Sequence, residues 1–468
     1  FNGFFNYRAV VGHVPYLSYV FISFYCYFLI HAFENREDKL KSIFYILISS
    51  LIFANFIHSG SGTIIVTIVL SIIFIISIYI YLNEKLTIIN YLILSFIIGL
   101  FIASSKINAA LSFLSNFPRE NVPIVFEGYY EFFTNLFKSL FFYPDINKFN
   151  FEIINSVTGS LGVHEIEFGI TILPLIIFVI FLANIKKITF NKFNSKKLIA
   201  LLFMLLITIV TISMNVSGNE LGTLFHKLPV VKSTWNYFRL FLVYILPIII
   251  ITCLLVDKIN LSERNIKIFT VCCLLIIVLQ NYIYNKDFYY KQNYNPVNFE
   301  KFHQDKEKIQ NIKIEKGALF LDKEGKLISD MQRNNMFLDE LSPLFCYQAM
   351  FGYKFNLPRK KLIFNEKNEI NENLFLITND PKLINNDELN FFNPSCFIFP
   401  NENNCQPGDL FKKDQIKELD QFLNYKTFEF KMSKSQKITN YLSIISLIIS
   451  MIYIIYYVIK RLIFKNNV

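Results

Sequence analysis

Charge-poor apolar runs recur along the chain at 14–33, 43–58, 63–82, 86–103, 168–184, 198–216, 238–256, 268–284 and 441–459. A hydrocarbon core of about 30 Å takes roughly 20 largely apolar residues in a helix, and a Lys, Arg or Asp at its centre costs about 2.5 to 3.5 kcal/mol. The pattern therefore predicts nine membrane-spanning helices, of which the run at 43–58 also fits a buried core helix. Basic residues fall in alternate connections: Arg36, Lys39 and Lys41; Lys85; Lys186, Lys187, Lys192, Lys196 and Lys197; Lys258, Arg264 and Lys267; and Lys460, Arg461 and Lys465 in the tail. Short Lys- and Arg-rich loops stay on the cytoplasmic side, so the connections at 59–62, 104–167, 217–237 and 285–440 are expected outside.

Two of those outer connections are long. Residues 104–167 contain SNFPRENVPIVFEGYYEFFTNLFKSLFFYPD, where EGYYEFFTNLFKSLFFY has the balance of an amphipathic helix lying in the membrane interface, or of a plain surface helix. From 286 to 437 the chain turns polar and Asn- and Lys-rich, with short apolar bursts at 317–322, 361–364, 373–378 and 395–400 bounded by Gly, Pro, Asn or Asp. Such bursts read as strands, and DQIKELDQFLNY (414–425) reads as a helix, which together predict an extracytoplasmic α/β domain. The expected organisation is mainly α: a polytopic bundle over 1–285, that domain over 286–437, and a last span with a cytoplasmic tail over 438–468.

Composition agrees with a multi-pass protein of the bacterial inner (plasma) membrane. Of 468 residues, 53% are hydrophobic and 18% charged, and the Asn, Ile and Lys usage fits an AT-rich genome. The net charge of +10 sits mostly in the membrane half, because 286–437 holds 23 basic and 22 acidic residues. Basicity here reflects topology; no zinc spacing, P-loop, GxGxxG or aromatic–basic recognition module is present, which excludes a nucleic-acid role. The chain begins at Phe1 without a basic n-region or a small-residue cleavage site, and is read as a fragment or processed form rather than as carrying a signal peptide. Cys26, Cys253, Cys272 and Cys273 lie in apolar runs and serve as small apolar side chains. Cys396 and Cys405, in NPSCFIFPNENNCQPG, are spaced to close a disulfide in an oxidising compartment, or remain as buried thiols beside Cys346.

Candidate chemistry concentrates at the outer boundary. His164, Glu165 and Glu167 lie in SLGVHEIEFGITILPL where the chain enters a span, and His13, His58 and His226 lie at the same membrane level. Each histidine alone reads as satisfying a helix end; together they point to an outward-opening polar cavity. Arg119, between Pro118 and Pro123, fits either a bidentate grip on phosphate or a surface pair with Glu120. Arg239 opens a span beside Trp235, the only Trp, and either snorkels to the headgroups or faces the bundle interior to hold an anion. Carboxylates, imidazoles and cations at that boundary suit group transfer from a lipid-linked donor: Glu165, Glu167 or His164 as the base, and Arg119, Arg239, His58, His226 and Lys232 around the phosphate. A transporter or flippase would call for ionisable residues or broken helices near mid-span, and few are present.

The run GVHEIEFGITILPL, the run KLPVVKSTWNYFRLFLVYILP and the last span YLSIISLIISMIYIIYYVIKRL after a polar domain resemble, in layout, the GT-C superfamily of integral membrane glycosyltransferases and the related YfhO-type bacterial membrane proteins. That resemblance covers about the membrane half and rests on no strict motif. It implies transfer of a sugar from a polyprenyl-phosphate donor to an envelope glycan, lipid or protein acceptor, with a divalent cation compatible but no metal site specified. The family places its catalytic Asp or Glu in the first external loop, and FNGFFNYRAVVGHVP carries neither, so the base is expected upstream of Phe1 or at Glu165 or Glu167. The alternatives are a non-catalytic accessory protein for envelope polysaccharide or lipoprotein, and a transporter or flippase.

Overall fold

The structure, a computed structural model, describes residues 8, 14–59, 64–116, 126, 128–143, 150–154, 157–160, 163–184, 194–216, 220–228, 231, 237–259, 263–291, 383–385, 388–393, 395–396, 403–405, 409–423 and 432–465. The chain divides into two compact units, one made of Phe1–Asn108, Asn121–Tyr290 and Ser435–Val468, the other of Ala109–Glu120 and Lys291–Lys434.

The first unit is a helical membrane bundle. Among the described residues six helices are long and apolar enough to cross a bilayer: Tyr16–Glu34, Lys39–His58, Ile65–Asn83, Ser195–Ser213, Tyr237–Lys258 and Lys434–Ile463. A seventh is a bent pair, Ile88–Ile102 with Ser104–Ser112, turned by 68°. One of the nine expected spans differs. The run at 168–184 becomes helical only over Leu173–Ala183, because the residues before it are irregular, with Gly169 (φ 53°) and Thr171 (φ 76°) in the left-handed region. Eleven residues at 1.5 Å each reach about 16 Å, roughly half a hydrocarbon core. The run at 268–284 lies inside one long helix, Glu263–Lys291.

We label the helices used below α1 (Ile22–Glu34), α2 (Lys39–His58), α3 (Ile65–Asn83), α4 (Ile88–Ile102), α5 (Ser104–Asn116), α6 (Tyr129–Phe141), α7 (Val163–Ile166), α8 (Leu173–Ala183), α9 (Ser195–Ser213), α10 (Glu220–His226), α11 (Ile245–Lys258) and α12 (Glu263–Lys291). Two spans open with a 3-10 helix: Val14–Phe21 before α1, and Tyr237–Tyr244 before α11.

Side-chain links fix which connections share an end of the bundle. At one end Arg461 Nη2 lies 2.9 Å from Asp38 Oδ2, and Glu84 is held by Lys197 Nζ at 3.0 Å and by Asn194 Nδ2 at 2.6 Å. At the other, Asn108 Nδ2 donates to Gln436 Oε1 at 2.8 Å, and Gln436 Nε2 donates to the Ser105 carbonyl at 3.0 Å. Arg36 Cζ and Lys85 Nζ both lie over the Phe33 ring, so the basic connections around Arg36, Lys85 and Arg461 collect at one end, as alternate crossings require.

Between the ends the core is almost wholly aromatic and branched aliphatic: Tyr19, Ile22, Tyr25, Leu29, Phe56, Ile68, Ile72, Phe238, Phe241 and Leu242 are fully buried. In lipid such burial gives little hydrophobic drive, so close packing and hydroxyl bonds between helices hold the spans. Tyr19 donates to the Leu242 carbonyl at 2.5 Å and sits 2.9 Å from Ser71 Oγ, tying three spans at one point. Gly99 lets α4 approach α2; an added Cβ would come within 2.7 Å of Phe53 Cδ1 and 2.9 Å of the Ser50 carbonyl oxygen.

In the second unit the described part is a three-stranded antiparallel sheet, β3 (Leu383–Asn385), β4 (Glu388–Phe392) and β5 (Leu410–Lys412), after the β1 (Asn150–Ile154) and β2 (Val157–Ser160) hairpin of the first unit. A helix, Ile416–Leu423, follows β5, with Phe411 and Leu419 fully buried. A disulfide joins Cys396 to Cys405, Cα atoms 5.5 Å apart. The expected strands at 317–322, 361–364 and 373–378, and Cys346, lie outside the described residues.

Candidate functional site

The short helix α7 carries Glu165 into the bundle, at the end where the Tyr237 and Val14 3-10 segments begin. With three residues per turn, the 3-10 geometry of Tyr237–Tyr244 stacks Arg239 in line with Leu242, and every side chain from Tyr237 to Val243 is buried. Asn215 supports the start of this segment, donating from Nδ2 to the Tyr237 carbonyl at 3.2 Å while its own carbonyl accepts from Phe126 N at 3.2 Å. Arg239 is buried with the rest of this segment and turns inward.

The partner it meets is Glu165. Arg239 donates from Nε to Glu165 Oε2 and from Nη2 to Oε1, both at 2.5 Å, a fork-on-carboxylate arrangement. Arg8 Nη2 donates to the same Oε2 at 2.6 Å. Tyr16 lies below both cations, 4.0 Å from Arg8 Cζ to the ring centroid and 5.6 Å from Arg239 Cζ. Arg8 is 0% exposed, Glu165 5% and Arg239 7%. Burial lowers the Arg8 guanidinium below its usual range; the neighbouring Glu165 charge opposes that drop and Arg239 adds to it. Two guanidiniums therefore share one carboxylate away from water, and both Glu165 oxygens are engaged in holding them.

The segment after Glu165 is fixed by α6. Phe168 N donates to the Ser139 carbonyl at 2.9 Å and Ile170 N to the Leu140 carbonyl at 2.8 Å, which satisfies carbonyls that the helix end leaves open. Gln280 of α12 bridges the two pieces, accepting from Ile172 N at 2.9 Å and donating to the Phe141 carbonyl at 2.7 Å. These bonds hold Thr171 at φ 76°, a conformation that costs a β-branched residue about 1–3 kcal/mol. Glu167, two residues on, is 3% exposed. Its charge reaches Tyr143, whose phenol is raised first by burial and then by Glu167.

Beyond Thr171 the chain borders a groove of about 610 Å³ between α8, α11 and α12. Its walls are mainly apolar, with Leu173, Pro174, Ile249, Phe269 and Leu274 among them, and Asp257 at the far end. One end of this groove, at Ile170 and Thr171, is five residues along the chain from Glu165.

Of the residues that sequence reasoning placed at the site, the structure brings Glu165 and Arg239 into contact and puts Glu167 two residues on. His58 ends α2 and is exposed. His164 and His226 lie in α7 and α10, and Arg119, Lys232 and His13 lie outside the described residues. Among the described residues no three His, Cys, Asp or Glu gather as a metal site. Sequence reasoning missed Arg8 and Tyr16. One signal pointed to Arg8: it is the only Lys, Arg, Asp or Glu before Glu34. No protein-family model, curated protein or solved structure matches the chain.

Proposed function

We propose that the chain is a membrane transferase of the GT-C kind, moving a sugar from a polyprenyl-phosphate donor to an envelope glycan, lipid or protein acceptor at the outer face of a bacterial plasma membrane. The observation that carries this reading is the pair of buried guanidiniums, Arg8 and Arg239, gathered by Glu165 at the ends of the Tyr16–Glu34 and Tyr237–Lys258 spans. Fixed, desolvated cations stabilise charge developing on a leaving phosphate without reorganising during the reaction. The groove between α8, α11 and α12 offers an apolar bed for the donor tail. Because Glu165 is engaged with the arginines, its part is to position them. Glu167 takes the proton from the acceptor hydroxyl as the new glycosidic bond forms, and the bond from the sugar carbon to the phosphate oxygen breaks to release polyprenyl phosphate. The region 286–437 serves as an extracytoplasmic α/β domain on the acceptor side.

The test is release of polyprenyl phosphate by the protein in proteoliposomes given polyprenyl-phosphate sugars and envelope acceptors. Arg239→Lys, which keeps the charge and loses the fork, is expected to slow release by on the order of 10²-fold. Absence of release from every donor would sink the transferase reading. A second reading has one observation in its favour: a carboxylate saturated by two guanidiniums also serves as a purely structural knot, as in a non-catalytic accessory protein for envelope polysaccharide or lipoprotein.

A further inference from the structure

Helix α6 shows two faces. Phe132, Asn135, Leu136, Ser139 and Leu140 are buried, and Phe132 packs on Phe241 at 5.4 Å and on Phe126 at 5.6 Å between ring centroids. On the opposite face Tyr129, Phe133 and Phe137 follow one another at four-residue steps, with Tyr130 beside them, and all four are exposed, Tyr130 at 87%. Lys138 is exposed next to Phe137. Four outward aromatics on thirteen residues are costly in water, yet they are the composition found where a bilayer meets water: amphipathic rings at headgroup depth and a cation for anionic lipid.

We propose that this face of α6 is seated in the headgroup–acyl boundary of the bilayer, with lipid as its occupant. Position supports lipid over a protein partner. Phe241, the residue against which α6 packs, lies in the first turns of the Tyr237–Lys258 span, and Gln280 ties the α6 end to α12. α6 is thus held against two apolar helices, α11's span and α12, whose outward residues Ile249, Ile251, Leu275 and Val278 are exposed in the same way. A consequence follows for the buried cluster. The Ser139 and Leu140 carbonyls hold Phe168 and Ile170, so the helix in the interface sets the depth of the Glu165 segment whether or not the chain transfers a sugar.

The test places Trp at Phe133, and separately at Tyr130, in full-length protein carrying Trp235→Phe; if that background does not fold, difference spectra against the parent chain serve instead. The protein is reconstituted into phosphatidylcholine–phosphatidylglycerol vesicles whose phosphatidylcholine is brominated near the top or near the middle of its acyl chains. The expected result is blue-shifted emission at both positions, quenched at least twofold more by the shallow bromine. Emission at the position of indole in water, without quenching, would overturn the proposal in favour of a solvent-facing helix. Blue-shifted emission that neither lipid quenches would overturn it in favour of a protein cover such as a second copy, and stronger quenching by the deep bromine would overturn the interfacial depth.

Discussion

Replacing Glu165 with Gln removes one negative charge from between two guanidiniums that are 0% and 7% exposed. Breaking a buried pair by deleting one partner costs about 3–5 kcal/mol, because the remaining charge keeps its desolvation penalty without its compensation. Here two cations lose the same partner and face each other, which places Glu165→Gln at the upper end of that range. Against a total stability of about 5–15 kcal/mol for a folded domain, the variant would be close to unfolding. Replacing all three charged groups together, by Arg8→Met, Arg239→Met and Glu165→Met, removes the buried cations as well and is expected to lie within about 2 kcal/mol of the parent. Reversible unfolding of the reconstituted protein, followed by circular dichroism against denaturant, measures these variants and the three single Met variants, and the triple's cost minus the sum of the singles is the coupling within the cluster. A Glu165→Gln cost under about 1 kcal/mol would show that water reaches the guanidiniums and would refute the reasoning. So would a triple variant costing the sum of the singles.

Gly99→Ala is expected to cost about 1–3 kcal/mol by the same unfolding measurement, since its Cβ meets the Ser50 backbone carbonyl oxygen, which cannot move without shifting α2; a neutral result would mean that α2 and α4 are not in close contact. Glu84 has its carboxyl lowered, first by the Lys197 hydrogen bond and then by that from Asn194. A carboxylate lowered on folding adds stability above the usual carboxylate range near pH 4, and that stability is lost as pH falls through the lowered value. Glu84→Gln should therefore flatten the acid limb of stability measured against pH while leaving its neutral-to-alkaline part unchanged in shape.

Apolar period and charge placement determine most of the bundle. Runs such as 63–82 and 198–216 have too little polarity to fold in water, and the basic residues between runs fix alternate crossings, so the gathering of Asp38, Glu84 and Arg461 at one end was readable in advance. Composition also marked the boundary at Glu165 and Arg239, because charge beside a span is expensive and must find a partner. Which partner it finds is a tertiary matter. Arg8 and Glu165 are 157 residues apart, and no local pattern encodes their meeting at 2.6 Å. The half-length helix at Leu173–Ala183 is likewise set by long-range bonds: the carbonyls of α6 and the side chain of Gln280 hold Phe168–Thr171 out of the helix, against the hydropathy of a run that reads as a full span. The sequence alone thus settles that this chain belongs in a membrane. The packing of α6, α12 and the two 3-10 segments decides that Glu165 holds two arginines, since only the folded chain brings a desolvated carboxylate and two desolvated cations within bonding distance.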